Sequence, residues 1–251
     1  MTSSKCFLLP FAIGLCAALM AFGLTGCEDF PAGKYTDDIF AGTDPSFDKY
    51  PGMNVNTQGV AGTSFIWPEQ IQQVNVIKGE RNQLSEEEQD DELPVTDKMF
   101  GGGLSIIVSM EIQNVSDSAY ELSLPAGLLL QAANRNVYQN GILVKKVVIP
   151  FQANEKRTVS LRFYGLNQGK GPSDPDGVYS LPQYSTNIAA FQPLFAVCAE
   201  RKVNINEYSQ ENILSYYSAC ETIQEIVYAI TQGRTFTEAE IKRYLKHVKK
   251  A

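Results

Sequence analysis

Leu104-Ser105-Ile106-Ile107-Val108-Ser109-Met110-Glu111-Ile112 decides the fold, read together with Asn114-Val115-Ser116-Asp117-Ser118 and Tyr120-Glu121-Leu122-Ser123-Leu124 after it. Val108, Met110 and Ile112 alternate with polar residues, so they share one face of a strand. The Asn/Ser/Asp cluster supplies side chains that satisfy turn backbone groups. Tyr120, Leu122 and Leu124 then alternate in a second strand, which completes a hairpin.

The same pattern continues toward the C-terminus. Pro125-Ala126-Gly127 breaks the strand and Leu128-Leu129-Leu130 resumes as a short apolar run. Asn140-Gly141 is a turn signal, since both residues tolerate positive φ. Ile142 to Phe151 is rich in β-branched residues, and Lys145-Lys146 marks a solvent-facing stretch within it. Asn154-Glu155-Lys156 turns the chain, and Val159, Leu161 and Phe163 alternate with Ser160, Arg162 and Tyr164. Short strands at this spacing predict a mainly β fold with a C-terminal α region. The form expected is an immunoglobulin-like antiparallel β-sandwich followed by a small three-helix region.

Working outward, Thr63–Trp67 and Gln73–Ile77 read as the first strands. Glu86-Glu87-Glu88-Gln89-Asp90-Asp91-Glu92 is a block of like charge that repels itself and reads as a solvated loop. It lacks the tight Gly turn of a calcium loop. Gly101-Gly102-Gly103 reads as a flexible entry to the strand block. Gly169-Lys170-Gly171 lacks the spacing of a phosphate loop, and Asp174-Pro175-Asp176-Gly177 is first of all a turn. Ile188, Phe191, Phe195 and Cys198 then fall at helical spacing. Ser209 caps a second helix with the stripe Ile213, Tyr217, Cys220, Ile223, Val227 and Ile230, stopped by Gly233. Thr237-Glu238-Ala239-Glu240 is a capping box opening a last helix, with basic residues from Lys242 to Lys250.

At the start of the chain, Lys5 precedes an apolar stretch from Cys6 to Leu24, which has the make-up of a secretory signal. Leu24-Thr25-Gly26-Cys27 resembles the lipobox of bacterial lipoproteins. That resemblance covers the first 27 residues. It implies lipidation of Cys27, anchoring to a membrane through its acyl chains, and placement in the cell envelope of a Gram-negative bacterium. Each buried methylene of such a chain contributes about 0.8 kcal/mol of membrane affinity. Glu28-Asp29 resembles both a surface-export signal and an inner-membrane retention signal; the expectation here is the outer membrane. The division expected is a signal peptide over 1–26, a tether over 27–60, a β-sandwich domain over 61–167, a loop over 168–186 and a helical region over 187–251 packed on the sandwich.

The net charge is −7, and removal of Lys5 with the signal leaves −7 − 1 = −8. A surface of that sign repels phosphate backbones and excludes nucleic acid as a partner. Cys198 and Cys220 form the one pair left beside Cys27. They are either a disulfide, as an oxidising compartment favours, or two small buried thiols on helix faces.

His247, the single histidine, sits too late to support a Ser-His-Asp site, and His and Cys are too sparse for a zinc site. No catalytic residue, metal or cofactor is therefore assigned. Tyr138, Tyr164, Tyr179 and Tyr184 are candidate binding residues, because rings at loops or strand ends can stack on a sugar. Asn114-Val115-Ser116 fits a glycosylation sequon, and Asp117-Ser118-Ala119 resembles a short bacterial O-glycosylation motif. The function expected is a noncatalytic binding module for a glycan or an envelope protein. The alternative is an anchored hydrolase using a carboxylate pair. The strand block itself resembles uncharacterised secreted bacterial sandwich domains, a likeness that implies no activity.

Overall fold

The computed structural model describes residues 35–81, 97–184 and 188–251, with backbone alone at 183 and 184. The signal and lipobox of 1–27 and the acidic run of 86–92 lie outside these residues. The strands are β1 Thr63–Ser64, β2 Ile71–Gln73, β3 Ile77–Glu80, β4 Met99–Gly101, β5 Ile106–Asn114, β6 Tyr120–Leu124, β7 Leu128–Ala132, β8 Gly141–Ile142, β9 Val147–Phe151, β10 Lys156–Gly165 and β11 Val178–Tyr184. The α-helices are α1 Thr36–Ile39, α2 Gln192–Ala199, α3 Ile213–Thr231 and α4 Glu238–Tyr244.

Six strands close on themselves. The hydrogen-bonded order runs β5-β3-β11-β7-β8-β10 and returns from β10 to β5, antiparallel at every step. This is a closed antiparallel barrel, which corrects the sandwich expected from strand spacing. The closing piece is β8. Its Ile142 pairs with Leu129 of β7 on one side and Tyr164 of β10 on the other. A sandwich would leave that gap open between two sheets. Additional strands extend the barrel: β2 pairs with β5, β1 with β11, and β4 lies parallel to β10. A separate ribbon, β6 with β9, turns Leu122, Leu124, Val147, Ile149 and Phe151 toward the interior core.

Two hydrophobic cores result. The first joins Val108, Met110 and Ile112 of β5 to Val159, Leu161 and Phe163 of β10 inside the barrel. The second lies outside one part of the wall, where Leu129, Ile142, Tyr164 and Leu166 meet α2, α3, α4 and the segment before the first strand. The run Leu128-Leu129-Leu130 serves both: Leu128 and Leu130 face the interior and Leu129 faces the helices. Continuous apolar runs of this kind belong to strands buried on both faces. Ile39 and Met53 are fully buried in the second core, so residues 35–60 form part of the packed body.

Three local readings are also corrected. Asn140-Gly141 is not a turn; Gly141 opens β8. Asn140 is buried, donating from Nδ2 to Gly52 O at 2.7 Å and accepting from Ala132 N at 2.9 Å, while Asn167 bonds Gly52 O and Asn54 O beside it. Gly101-Gly102-Gly103 is not a loose hinge. A Cβ on Gly103 would lie 2.3 Å from Phe163 O, so the glycines are there for close backbone approach. Of the Lys145-Lys146 pair, Lys146 is exposed as expected, but Lys145 does not face solvent; its ammonium donates to Arg201 O at 2.7 Å and pairs with Glu207.

Two helix ends follow their sequence signals, but Ser209 does not cap α3, which begins at Ile213 behind Asn212 with no side-chain cap bond. Gly233 has φ of +90° and its N–H bonds Ile230 O at 3.0 Å, while Arg234 N bonds Ala229 O at 3.0 Å. That pair of bonds is a Schellman termination. The capping box opening α4 is formed, with Thr237 N donating to Glu240 Oε2 at 2.8 Å and Glu240 N to Thr237 Oγ1 at 3.3 Å. Among the described residues no helix is long and apolar enough to cross a membrane.

Candidate functional site

Of the four tyrosines chosen from sequence, Tyr138 and Tyr179 lie side by side and Tyr164 lies apart from them in the other core. Tyr164 is fully buried in the helix–barrel core, its hydroxyl 3.6 Å from Cys220 Sγ, and has no exposed face for a sugar. Tyr179 projects into the barrel interior, and its buried hydroxyl has no hydrogen-bond partner. Tyr138 lies beside it with ring centroids 6.3 Å apart and donates to Asp174 Oδ1 at 2.8 Å. Asp174 also accepts from Asp176 N at 2.8 Å and Gly177 N at 3.1 Å, so its carboxylate is committed to the turn. These bonds hold it below the usual carboxylate range, the Tyr138 hydroxyl foremost. The backbone of Tyr184 pairs with Thr63 and Leu128; its side chain lies outside the described residues. Cys27 lies outside them as well.

Cys198 on α2 and Cys220 on α3 are unbridged and buried in the second core. Burial pushes the Cys198 thiol up to about 12, and raises that of Cys220. Such thiols stay protonated at neutral pH and are poor nucleophiles. His247 is half-buried with both ring nitrogens unpartnered, and burial lowers its pKa, so the ring is neutral. Ser218 Oγ is likewise buried without a partner. No hydrogen bond joins the two, so the pair is not an activated nucleophile.

Asn114, the sequon asparagine, is fully buried: its Nδ2 donates to Ser118 O at 2.7 Å and to Gln152 O at 2.8 Å. It offers no amide to a modifying enzyme. Ser118 is exposed in the turn that follows.

A candidate site lies on the outer barrel wall. Strand alternation sends Leu161 and Val108 inward and their neighbours outward. Register then aligns Glu80, Ile107, Arg162 and Gly101 across β3, β5, β10 and β4. These strands, with Arg81, Lys98, Met99, Thr158, Ser160 and Pro175, line an open pocket of about 500 Å³. The loop before β11 closes one end of it, through Ser173 Oγ, which donates to Glu80 O at 2.8 Å and accepts from Ile107 N at 2.8 Å.

Arg162 is the unusual member. It is 3% exposed, and its Nε and Nη1 are buried with no hydrogen-bond partner. Tyr216, Tyr217 and Cys220 of α3 flank it, and its positive charge opposes the upward shift that burial gives both phenols. Glu80 does not neutralise it. Glu80 Oε2 accepts from Ser160 Oγ at 2.7 Å, and Arg162 forms no ion pair among the described residues. A buried lysine or histidine can shed its proton, but a guanidinium cannot, so it needs an acceptor. The sequence places Arg162 on the strand face opposite Val159, Leu161 and Phe163. What hides it is α3, about fifty residues later in the chain, and no local signal carries that.

The chain matches no known family model, and neither a curated protein nor a solved structure proved similar to it.

Proposed function

We propose that this chain is an envelope lipoprotein, held to the outer membrane by acyl chains on Cys27, whose barrel acts as a noncatalytic binding module for a glycan or an envelope protein. The observation that carries the binding half is the outer-wall pocket with its buried, unneutralised Arg162. Its dimensions fall in the range of small-ligand sites, and it combines apolar lining with a few polar groups. The anchoring half rests on Leu24-Thr25-Gly26-Cys27.

What favours binding over hydrolysis is the lining. A glycoside hydrolase sets two carboxyls about 5–9.5 Å apart across the scissile bond. Glu80 is the only carboxylate among the described residues that line this pocket, and it is already bonded to Ser160. Two measurements test the reading. Cys27→Ser is expected to release the protein from membranes; continued attachment would overturn the anchor. The full chain in detergent, screened against glycans and envelope proteins, is expected to give a saturable hit without turnover. Release of product sugars would replace the module with the hydrolase.

A further inference from the structure

The charge of the chain is unevenly placed. Residues 200–202 and 242–250 hold seven Lys and Arg against one acid, Glu200, a balance of +6, so the rest of the chain after the signal stands at −8 − 6 = −14. The fold brings the two segments together. Lys202 N donates to Lys249 O at 2.9 Å, Ala251 N donates to Glu200 O at 3.0 Å, and Arg201 and Lys250 form an antiparallel bridge. Lys246, Lys249 and Lys250 are exposed, and Lys202 is partly so.

Ion pairs within the protein account for two of the seven. Lys242 pairs with Glu238 at 3.1 Å and Arg243 with Asp38 at 2.7 Å. Lys202, Lys246, Lys249 and Lys250 meet no carboxylate among the described residues; Lys249 reaches only Asn212 Oδ1, at 3.5 Å. α4 ends at Tyr244, and a helix dipole acts within the last turn, so it does not explain Lys249 and Lys250. Five cations therefore remain against the three exposed acids that border them, Asp37, Glu200 and Glu211.

The chain enters the described residues at the same place. Tyr35 packs edge-on against Tyr244 with ring centroids 5.4 Å apart, and Asp38 accepts from Tyr244 Oη at 2.9 Å and from Arg243 at 2.7 Å. Lys246 lies two residues beyond Tyr244. Eight residues lead from Cys27 to Tyr35, roughly 26–29 Å of chain when fully extended. An acyl anchor on Cys27 keeps Tyr35 within that reach of a bilayer.

We propose that this basic face, formed by Arg201, Lys202, Lys246, Lys249 and Lys250, rests on the anionic phospholipid headgroups of the membrane that holds Cys27. Anionic headgroups attract each Lys and Arg brought near the surface. The remaining −14 is repelled, but that repulsion fades beyond a Debye length of about 8–10 Å. The orientation that satisfies both sets the basic face down and the acidic body away from the surface. This rests on the anchoring reading and adds to it the part of the protein that meets the lipid.

The test places the full lipidated chain in vesicles of phosphatidylcholine, with or without phosphatidylglycerol. Flotation reads attachment. Acetylation with peptide mapping reads each lysine, relative to Lys78 and Lys156, two exposed lysines on barrel strands. Attachment is expected in both vesicles. With phosphatidylglycerol present, Lys202, Lys246, Lys249 and Lys250 should label at least about threefold more slowly, and high salt should restore their rates. A triple variant, Lys246→Glu with Lys249→Glu and Lys250→Glu, should stay attached while Lys202 labels as it does in phosphatidylcholine.

Equal relative rates in the two vesicles, with the protein attached to both, would sink this inference and leave the anchor standing. Persistent protection of Lys202 in the triple variant would also sink it, since the cover would not depend on these charges. Attachment only where phosphatidylglycerol is present would remove the acyl anchor and keep the basic face. No attachment to either vesicle would sink both.

Discussion

Tyr216 of α3 donates its phenol hydrogen to the carbonyl of Gly103, 3.1 Å away across the seam between the helices and the barrel wall. Tyr216 is fully buried, so neither group has water to fall back on. Tyr216→Phe therefore leaves a buried carbonyl without this donor while keeping the ring. The expected cost is about 1–3 kcal/mol. For a chain of this size that is a fall of roughly 2–12 °C in unfolding temperature. Urea unfolding checks it: the midpoint should move with little change in slope, since the packed surface is the same.

Gly233 is constrained twice, and the two constraints separate experimentally. Its φ of +90° disfavours any side chain, and a Cβ there would sit 2.7 Å from the Phe47 ring. Gly42 has φ of +76° with nothing within 4 Å of a Cβ. Gly42→Ala should cost about 1 kcal/mol, the backbone contribution alone. Gly233→Ala should cost about 2–4 kcal/mol, because steric overlap is added. Equal costs in urea titrations would mean that Phe47 moves aside freely.

Cys198 and Cys220 should resist modification. Both are essentially inaccessible and their thiols are held protonated by burial. Alkylation of native protein followed by peptide mapping is expected to leave both unlabelled. Alkylation in denaturant without reductant should label both. Failure to label them in denaturant until reductant is added would mean the two are bridged.

The strands themselves were legible, and their closure was not. Alternation at Val108, Met110 and Ile112 and at Tyr120, Leu122 and Leu124 located β5 and β6, because side-chain period reports which face is buried. Barrel against sandwich is decided by who pairs with whom. Here it turns on two residues, Gly141 and Ile142, too short a strand to leave a pattern. Asn140 hid the same feature, since a residue typical of turns is used here as a buried connector to Gly52. The burial of Tyr164 was hidden for a related reason. Ring chemistry is visible in sequence, whereas the helix covering Tyr164 and Arg162 is placed by the tertiary fold. The α4 capping box was readable because both of its hydrogen bonds lie within four residues.

His247 gives a signed dependence on pH. Burial lowers its folded pKa below the ordinary value of 6.5; the backbone of Ser218 and Tyr244 opposes this in part, and the nearby charges of Arg201 and Lys246 add to it. In the unfolded chain the ring titrates near its ordinary value, so below about pH 6.5 the unfolded state binds a proton that the folded state refuses. Stability then falls as pH drops through the unfolded value, and the loss saturates once pH passes below the folded one. Carboxylates contribute their own pH dependence at the acid end, so the informative quantity is a difference between two proteins. His247→Leu cannot take up the proton in either state. Its stability relative to the natural chain should therefore rise as pH falls from 7.5 to about 5, measured by urea unfolding at each pH. A difference that stays constant across that range would mean the folded protein accepts the proton as readily as the unfolded one, and that the ring is not held neutral by its burial.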